Sequence, residues 1–238
     1  MFNDVYMSEK QRQKIEMAIA DTESIVRDVK DYQEDETFEQ LIEHKFKKFY
    51  GKTIAEIEVE TGVKLGQSKS MAYNACRAIL GVKANKIAEF EKAGIAIKTI
   101  RLEQNGNLKE AMSFPNVNYK EIVQEDCWEN SALYEMFTQR FLFVVFRKPE
   151  QKNDKEVRLE KVMFWTMPVK DLVQGRILWE DTQFKVKMGN YDHFMKTADN
   201  PVCHIRPKAQ NAADTTESAQ GQQVKKMCYW LNREYVLD

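Results

Sequence analysis

A run of six consecutive apolar residues, FLFVVF at positions 141–146, limits the possible folds of this chain more than any other feature. Successive side chains of a strand point to opposite faces of a sheet, so an unbroken apolar run is typical of a strand buried on both faces. Strand-like patterns at residues 95–102 and 159–167 lie on either side of it along the chain. Helical patterns precede and follow these strands, and we therefore predict a single α/β layer architecture.

Two helical patterns occupy the N-terminal part of the chain. Apolar residues recur at intervals of three and four over residues 8–32, and a second pattern runs from the acidic residues 34–36 to Gly51. The first helix is either a packed element or a linker from a preceding domain, because amphipathicity fits both. We therefore divide the chain into residues 1–35, an N-terminal helix or interdomain linker, and residues 36–238, one folded domain.

The remaining elements are predicted from changes in the hydrophobic period. We expect four more helices, at residues 54–60, 68–80, 86–92 and 171–187. Gly175 weakens the last of them, because glycine is less favourable than alanine inside a helix. Two further strands are expected at residues 202–205 and 224–231, with a polar loop at residues 209–223 between them.

Charge and cysteine content exclude few classes of function. The 36 Lys and Arg against 37 Asp and Glu give a formal net charge of -1. A neutral balance does not exclude nucleic acid, because a local cationic surface is sufficient for phosphate contact. The 4 cysteines form no C-x-x-C pair, so we predict no zinc site. Unpaired thiols, together with the lack of an export signal or an apolar run that could span a bilayer, indicate the cytoplasm and no membrane partner.

The segment from Glu89 to Lys98 has the spacing of a metal-dependent nuclease site but lacks one ligand. Such sites hold Mg²⁺ between two carboxylates, and a lysine two residues beyond the second carboxylate steadies the attacking water. Here Glu89 lies near the end of a predicted helix, and Ala96 shares one face of the following strand with Lys98. Because a methyl group cannot ligate a metal, these residues predict neither a metal site nor a catalytic residue.

Several segments resemble MutH-type enzymes. The strand at residues 94–100 resembles the nuclease strand of that family, in which the position of Ala96 is a glutamate. Residues 68–81 resemble the helix that precedes it. Residues 204–212, HIRPKAQNA, resemble the family's Arg-Pro-Lys segment, which inserts into the DNA groove, and residues 229–232, YWLN, resemble its closing strand.

A closer resemblance is to the C-terminal half of the Sau-type restriction endonucleases that cut at GATC. It extends over residues 38–236 and includes AMSF at residues 111–114, RFLFVVF at residues 140–146 and the H-x-R-P…Y-W-L-N tail. That family is similar to a duplicated MutH fold, whose N-terminal copy cuts and whose C-terminal copy binds a second DNA site as an allosteric module. The resemblance therefore implies a restriction-endonuclease-like α/β fold with a central mixed sheet flanked by helices, and a catalytic MutH-like copy in the same natural chain.

Carried over to this sequence, the resemblance implies a domain that no longer cuts DNA. Arg77 stands where the family has a helix glutamate, and Glu89 stands where it has an aspartate. Ala96 stands where the family has the glutamate of the nuclease strand. Of these four positions, only Lys98 carries the family's residue. The added positive charge of Arg77 is unfavourable beside Mg²⁺. We therefore expect no cofactor for this domain, although Mg²⁺ belongs to the family's cutting copy.

Arg206, Pro207 and Lys208 are the predicted centre of a surface that binds double-stranded DNA. Arginine can present two donors to guanine or clamp a phosphate, and proline stiffens the backbone that aims its neighbours. The side-chain amides of Gln210 and Asn211 match the hydrogen-bonding edge of adenine. Lys225, Lys226 and Arg233 are predicted to contact DNA phosphates. Trp230, on the adjacent predicted strand, is expected to pack in the core.

Three functions stay open at this point. The favoured one is a catalytically silent, sequence-specific DNA-binding domain with GATC as its site. The second is a working Mg²⁺-dependent nuclease that recruits a displaced carboxylate such as Glu91 or Glu103. The third is a protein-interaction module in which the acidic N-terminal helices form the contact surface.

Overall fold

The computed structural model describes residues 21–66, 70–149, 156–208, 211 and 213–237. They fall into two compact units. Unit 1 is drawn from Met1–Thr99 and Arg140–Trp165, and unit 2 from Ile100–Gln139 and Thr166–Asp238. Among the described residues, none of the helices combines the length and the apolar composition that crossing a bilayer requires.

The described residues form eight α-helices and ten β-strands. The helices are α1 (Phe38–Lys47), α2 (Ile54–Thr61), α3 (Met71–Leu80), α4 (Ala88–Ala93), α5 (Tyr119–Ile122), α6 (Ala132–Thr138), α7 (Val169–Lys187) and α8 (Arg233–Leu237). The strands are β1 (Thr22–Glu23), β2 (Lys86–Ile87), β3 (Ile95–Leu102), β4 (Met112–Asn116), β5 (Arg140–Arg147), β6 (Arg158–Thr166), β7 (Cys203–Pro207), β8 (Thr215–Glu217), β9 (Gln223–Lys225) and β10 (Met227–Leu231).

The central element of unit 1 is β5, which lies between β3 and β6 in a three-stranded sheet. Every residue of the run at positions 141–146 is buried, as the sequence predicts. On one face, alternate residues of the run pack in the same hydrophobic core as α1 and α3. On the other face, Phe141 and Phe143 pack against Trp165, with ring centroids 5.9 and 5.3 Å away. Both faces of β5 are therefore covered.

The first two helices of unit 1 begin where the local sequence provides a cap. Thr37 and Thr53 precede α1 and α2, and the hydroxyl of each accepts a hydrogen bond from the backbone amide three residues later. The side chains of Gln40 and Glu56 accept a bond from the backbone amide of their threonine in return, which completes a capping box at each helix. These bonds satisfy amides that have no partner within the helix.

Unit 2 is built on a second three-stranded sheet in the order β4-β10-β7, with antiparallel pairing on both sides of β10. The long helix α7 contacts both α6 and β7. Gly175 lies inside α7, where a Cβ atom would come within 2.8 Å of the Phe137 ring and 3.1 Å of the Trp128 ring. This close approach accounts for a glycine that weakens the intrinsic helix propensity.

The predicted helix at residues 8–32 is wrong where the structure describes it, because β1 and a short 3-10 helix occupy that stretch. Residues 1–20 lie outside the described part of the chain. β1 pairs in parallel with β2, so the expected helix at residues 86–92 begins as a strand. Asp21 and Glu23 reinforce this pairing by accepting hydrogen bonds from amides of the loop before β2. Such long-range contacts override a local helical period.

The strands are distributed over two three-stranded sheets and two two-stranded pairs rather than over one central sheet. The predicted helix at residues 171–187 and the predicted strand at residues 202–205 are confirmed. The predicted strand at residues 224–231 is divided into β9 and β10, and β8 lies within the predicted polar loop. No prediction was made for β4, α5 or α6, which are too short for a period to be read. The division at residues 35 and 36 stays a prediction.

Candidate nucleic-acid interface

The nuclease-like strand β3 carries Ala96 and Lys98 on one face, as its alternation requires. Both residues are half-buried. The Lys98 ammonium lies 5.9 Å from the centre of the Phe141 ring, a distance at which the ring face attracts a cation. The lysine of the nuclease pattern is thus in place, while the neighbouring methyl group offers no ligand to a metal.

Glu89 has a structural role in this fold. Its Oε2 atom accepts a hydrogen bond of 3.1 Å from the backbone amide of Ile25, and its Oε1 atom accepts one of 2.9 Å from the amide of Val26. Both carboxylate oxygens therefore hold the segment that follows β1. Bonds from backbone amides to a charged acceptor are among the stronger hydrogen bonds of a protein.

Arg77 holds the loop between α3 and β2. Its Nη1 atom donates to the carbonyl oxygens of Lys83 and Ala84 at 3.1 and 3.0 Å, and to Oδ1 of Asn85 at 2.8 Å. Hydrogen bonds from Asn85 lower the pKa of Asp21, and the positive charges of Lys86 and Arg77 lower it further. The guanidinium group thus belongs to the network that binds β1 to β2.

These residues do not fit a Mg²⁺ site. Magnesium requires oxygen ligands in near-octahedral geometry, usually including carboxylates. The oxygens of Glu89 are engaged by backbone amides, Ala96 has no oxygen, and Arg77 contributes a positive charge. Within the described ranges, no group of three or more His, Cys, Asp or Glu side chains could hold a metal ion. Glu91, one of the displaced carboxylates considered above, is 58% exposed and lies 3.9 Å from the Lys86 ammonium.

The register of β7 and β10 places Arg206 beside Trp230. His204 pairs with Trp230, and Arg206 pairs with Cys228. Paired residues and their second neighbours along each strand share one face of an antiparallel sheet, so these four side chains lie together. The guanidinium carbon of Arg206 lies 3.7 Å from the centre of the Trp230 ring. Arg206 is exposed, whereas Trp230 is only 7% exposed. The buried ring therefore lies beneath the exposed guanidinium group.

A buried network of hydrogen bonds lies next to the Trp230 ring. The Nδ1–H group of His204 donates a 2.6 Å hydrogen bond to Oδ1 of Asn232, and Nδ2 of Asn232 donates to the carbonyl oxygen of Asn200 at 2.7 Å. The His204 ring is stacked near Trp230, with centroids 6.5 Å apart. Burial lowers the pKa of His204, the bond to Asn232 raises it, and the charge of Arg206 lowers it; the net direction is down.

Lys208 connects β7 to β4. Its ammonium group donates to Oγ of Ser113 at 3.0 Å and to the carbonyl oxygen of Phe114 at 3.1 Å, and it lies 5.9 Å from the centre of the Trp230 ring. Pro207, the last residue of β7, is exposed and pairs with Met227. The Arg-Pro-Lys segment is therefore anchored at both ends, by the stack at Arg206 and by the bonds of Lys208.

The other predicted contacts are placed differently. Lys225 is exposed, and its carbonyl oxygen accepts a bond from the Tyr119 hydroxyl. Lys226 forms an ion pair with Asp214, and Oδ1 of Asn211 accepts a bond from the amide of Ala213. The side chain of Arg233 on α8 is 53% exposed, and Gln210 lies outside the described residues.

The structure thus brings Arg206 and Lys208 together on Trp230. Packing of Trp230 in the core was expected, and its burial agrees, but its contact with Arg206 was not anticipated. The sequence holds part of the signal, because His204 and Arg206 alternate along β7 and so share a face, but this alternation does not identify their partner on β10.

The sequence of this chain is similar to a protein family and to a restriction enzyme. Residues 80–181 match the family model described as DNA mismatch repair enzyme MutH. The chain is also similar to the type II restriction enzyme Sau3AI of Staphylococcus aureus, with 26% identity over 244 residues. This similarity covers 89% of the chain but only 48% of the enzyme, so the chain spans about half the length of that relative. The match at residues 80–181 ends before β7 and therefore does not include Arg206.

The bonds to Glu89 predict a measurable loss of stability. Glu89→Ala leaves two backbone amides without their acceptor and should lower the free energy of unfolding by about 2 kcal/mol. Glu91→Ala is the matched control, because this residue lies on the same helix with a 58% exposed side chain, and its change should stay within about 0.5 kcal/mol. Urea denaturation measures both. Equal losses in the two variants would contradict the role given to Glu89.

The buried His204 predicts a specific pH dependence of stability. Its pKa is lowered from the ordinary value of 6.5, so below that pH the unfolded chain takes up a proton that the folded chain resists. Its contribution is complete above pH 6.5 and is lost as the pH falls towards the lowered folded value. Urea unfolding at about pH 7.5 and about pH 5.5 should show a smaller difference for His204→Asn than for the natural sequence. An unchanged difference would exclude His204 as its source.

Proposed function

Because the chain carries a MutH-like restriction-endonuclease domain, we propose that it binds double-stranded DNA at GATC sequences without cutting it. The observation that carries the proposal is the exposed guanidinium of Arg206 stacked 3.7 Å above the buried ring of Trp230. An arginine that stacks on an aromatic ring loses conformational freedom but can still donate hydrogen bonds from its N–H groups. The guanidinium group of Arg206 is therefore preorganised to donate hydrogen bonds to DNA.

The contact supports base recognition by Arg206, because an arginine that lies over an aromatic ring can still donate from the edge of its guanidinium group. Within the described part of the chain, its N–H groups form no hydrogen bond. Trp230 also does more than fill space in the core, because its indole N–H is buried and has no hydrogen-bond partner among the described residues. An unsatisfied buried donor costs about 1–3 kcal/mol, which a purely apolar side chain would avoid. The ring is thus best understood as the platform for the arginine.

Lys208 contributes to the same surface in a second way. Two of the three donors of its ammonium group are directed at Ser113 and Phe114 of β4, which fixes the end of β7. We assign Lys208 chiefly to positioning the backbone that carries Arg206, with its positive charge still available to attract phosphate. Lys225 and Arg233 are proposed as further phosphate contacts, while Lys226 is already paired with Asp214.

The sequence GATC comes from the resemblance to Sau-type enzymes. The chemistry of the surface agrees with it, because arginine matches the two acceptors of guanine and a side-chain amide matches adenine. Asn211, with its Oδ1 atom bound to the amide of Ala213, keeps the amide nitrogen to donate. Gln210 is proposed as a second amide for the same purpose.

The absence of cutting is supported by the residues around β3. Mg²⁺ would need the carboxylate oxygens of Glu89, which are held by Ile25 and Val26, and a second acid at the position of Ala96. No cofactor is therefore proposed for this domain. Mg²⁺ is expected only in a cutting copy of the same fold.

We further propose that the domain is an effector for such a cutting copy in the same natural chain. The aligned region covers 48% of the Staphylococcus aureus enzyme, which leaves enough of that relative for a second domain of similar size. DNA bound by the effector would then control the cutting copy. Restriction of DNA inside a cell takes place in the cytoplasm, and this is the proposed location.

Fluorescence anisotropy with a GATC duplex and a scrambled duplex of the same length tests the binding proposal. We expect tighter binding to GATC. Arg206→Ala should cost about 1–3 kcal/mol on the GATC duplex, or roughly 5- to 150-fold in affinity, and less on the scrambled one. Trp230→Leu keeps an apolar side chain but removes the platform, so its effect should have the same direction.

Arg233→Ala provides the comparison, because an exposed arginine that contacts phosphate should weaken binding to both duplexes equally. Equal and negligible binding of the natural sequence to both duplexes would overturn the DNA-binding proposal. Equal losses for Arg206→Ala on both would remove its role in reading bases.

Incubation of supercoiled plasmid with Mg²⁺ or Mn²⁺ tests the proposed lack of cutting. We expect the plasmid to stay intact. It should also stay intact with Ala96→Glu, because the restored acid would still face an occupied Glu89 and the charge of Arg77. Nicking by the natural sequence that disappears with Lys98→Ala would contradict the proposal.

A further inference from the structure

The outward side of α7 and the residue that follows it form an apolar stripe. Its members are between 42% and 81% exposed: Val169, Val173, Ile177, Phe184 and Met188. They follow one another at intervals of four, four, seven and four residues, which keeps them on one side of a helix with 3.6 residues per turn. The opposite side of α7 is buried. Exposed apolar side chains grouped on one side of a helix favour an interaction site.

Four of the five members of the stripe are arranged symmetrically about a point between residues 178 and 179. Val169 and Met188 lie equally far from this point, and so do Val173 and Phe184. When two copies of α7 run antiparallel around a two-fold axis through this point, each of these four residues comes level with an apolar counterpart in the other copy, and Ile177 comes level with Glu180. A partner of different sequence would not require this symmetry.

The charged residues beside the stripe also favour an antiparallel arrangement of two copies of α7. Arg176 and Glu180, with side chains 55% and 50% exposed, form an ion pair of 2.8 Å within the helix. In the antiparallel arrangement, Arg176 of one copy comes level with Asp181 and next to Glu180 of the other. Opposite charges therefore meet on both sides of the two-fold axis, and the antiparallel helix dipoles add a favourable term.

We propose that a second copy of this chain docks on this stripe, α7 against α7, in the absence of DNA. The 19 residues of α7 span about 28 Å, and a helix is about 10 Å wide, so the contact is smaller than the roughly 800 Å² per partner of a standard interface. The dimer is therefore weak, with a dissociation constant in roughly the micromolar range.

Sedimentation velocity over a series of protein concentrations, without DNA, measures this equilibrium. The natural sequence should shift from monomer to dimer as its concentration rises. Phe184→Ser removes the largest apolar side chain of the stripe from a 64% exposed position, so the fold should tolerate it while the dimer is lost.

Charge reversal tests the antiparallel arrangement itself. Arg176→Glu places acid against acid, and Glu180→Arg places base against base, so each variant alone should associate about tenfold more weakly. In an equimolar mixture of the two variants, each copy carries the charge that the other requires. The mixture should therefore regain the association of the natural sequence, which a folding defect could not do.

Lys47→Glu on α1 is the control for a charge change at an exposed position outside α7, and it should leave association unchanged. Three outcomes would overturn the proposal. The chain could stay monomeric at every concentration, which would leave the stripe to a different protein. The mixed variants could associate no better than each alone, or Lys47→Glu could weaken association as much as Arg176→Glu.

Discussion

The stack of Arg206 on Trp230 depends on the antiparallel register between β7 and β10. A shift of one residue would turn Arg206 to the opposite face of the sheet, away from the ring. His204, the register partner of Trp230, is held by Asn232, which in turn binds the backbone near the start of β7. The position of the proposed DNA surface therefore depends on the buried network beneath it, although Arg206 itself is exposed.

The residues that the resemblance aligns with the acids of a nuclease site have structural roles in this fold. Glu89 accepts bonds from two amides that lie 64 and 63 residues earlier in the chain, and Arg77 binds the loop before β2. A metal site would need the same carboxylate oxygens and a lower positive charge. Stability and metal binding would thus compete for the same side chains here, in addition to the methyl group at Ala96.

The sequence predicted the parts of this fold that depend on local pattern. The buried strand β5 follows from six apolar residues in a row, and the pairing of Ala96 with Lys98 on one face follows from the period of a strand. The α/β class and the restriction-endonuclease-like fold were also predicted, and the family match confirms them. Contacts between distant segments were not predictable from period alone: β1 against β2, the amides on Glu89, and the diagonal contact of Arg206 with Trp230.

A domain that holds DNA through Arg206 and its neighbours, without a metal, should bind a GATC duplex in EDTA as tightly as in Mg²⁺. The most direct measurement is a pair of titrations at matched ionic strength, with the DNA recovered afterwards on a denaturing gel. We predict no gain of affinity in Mg²⁺ and strands of full length in both samples. Binding that requires Mg²⁺, or strands cut at GATC in its presence, would contradict a silent DNA-binding domain.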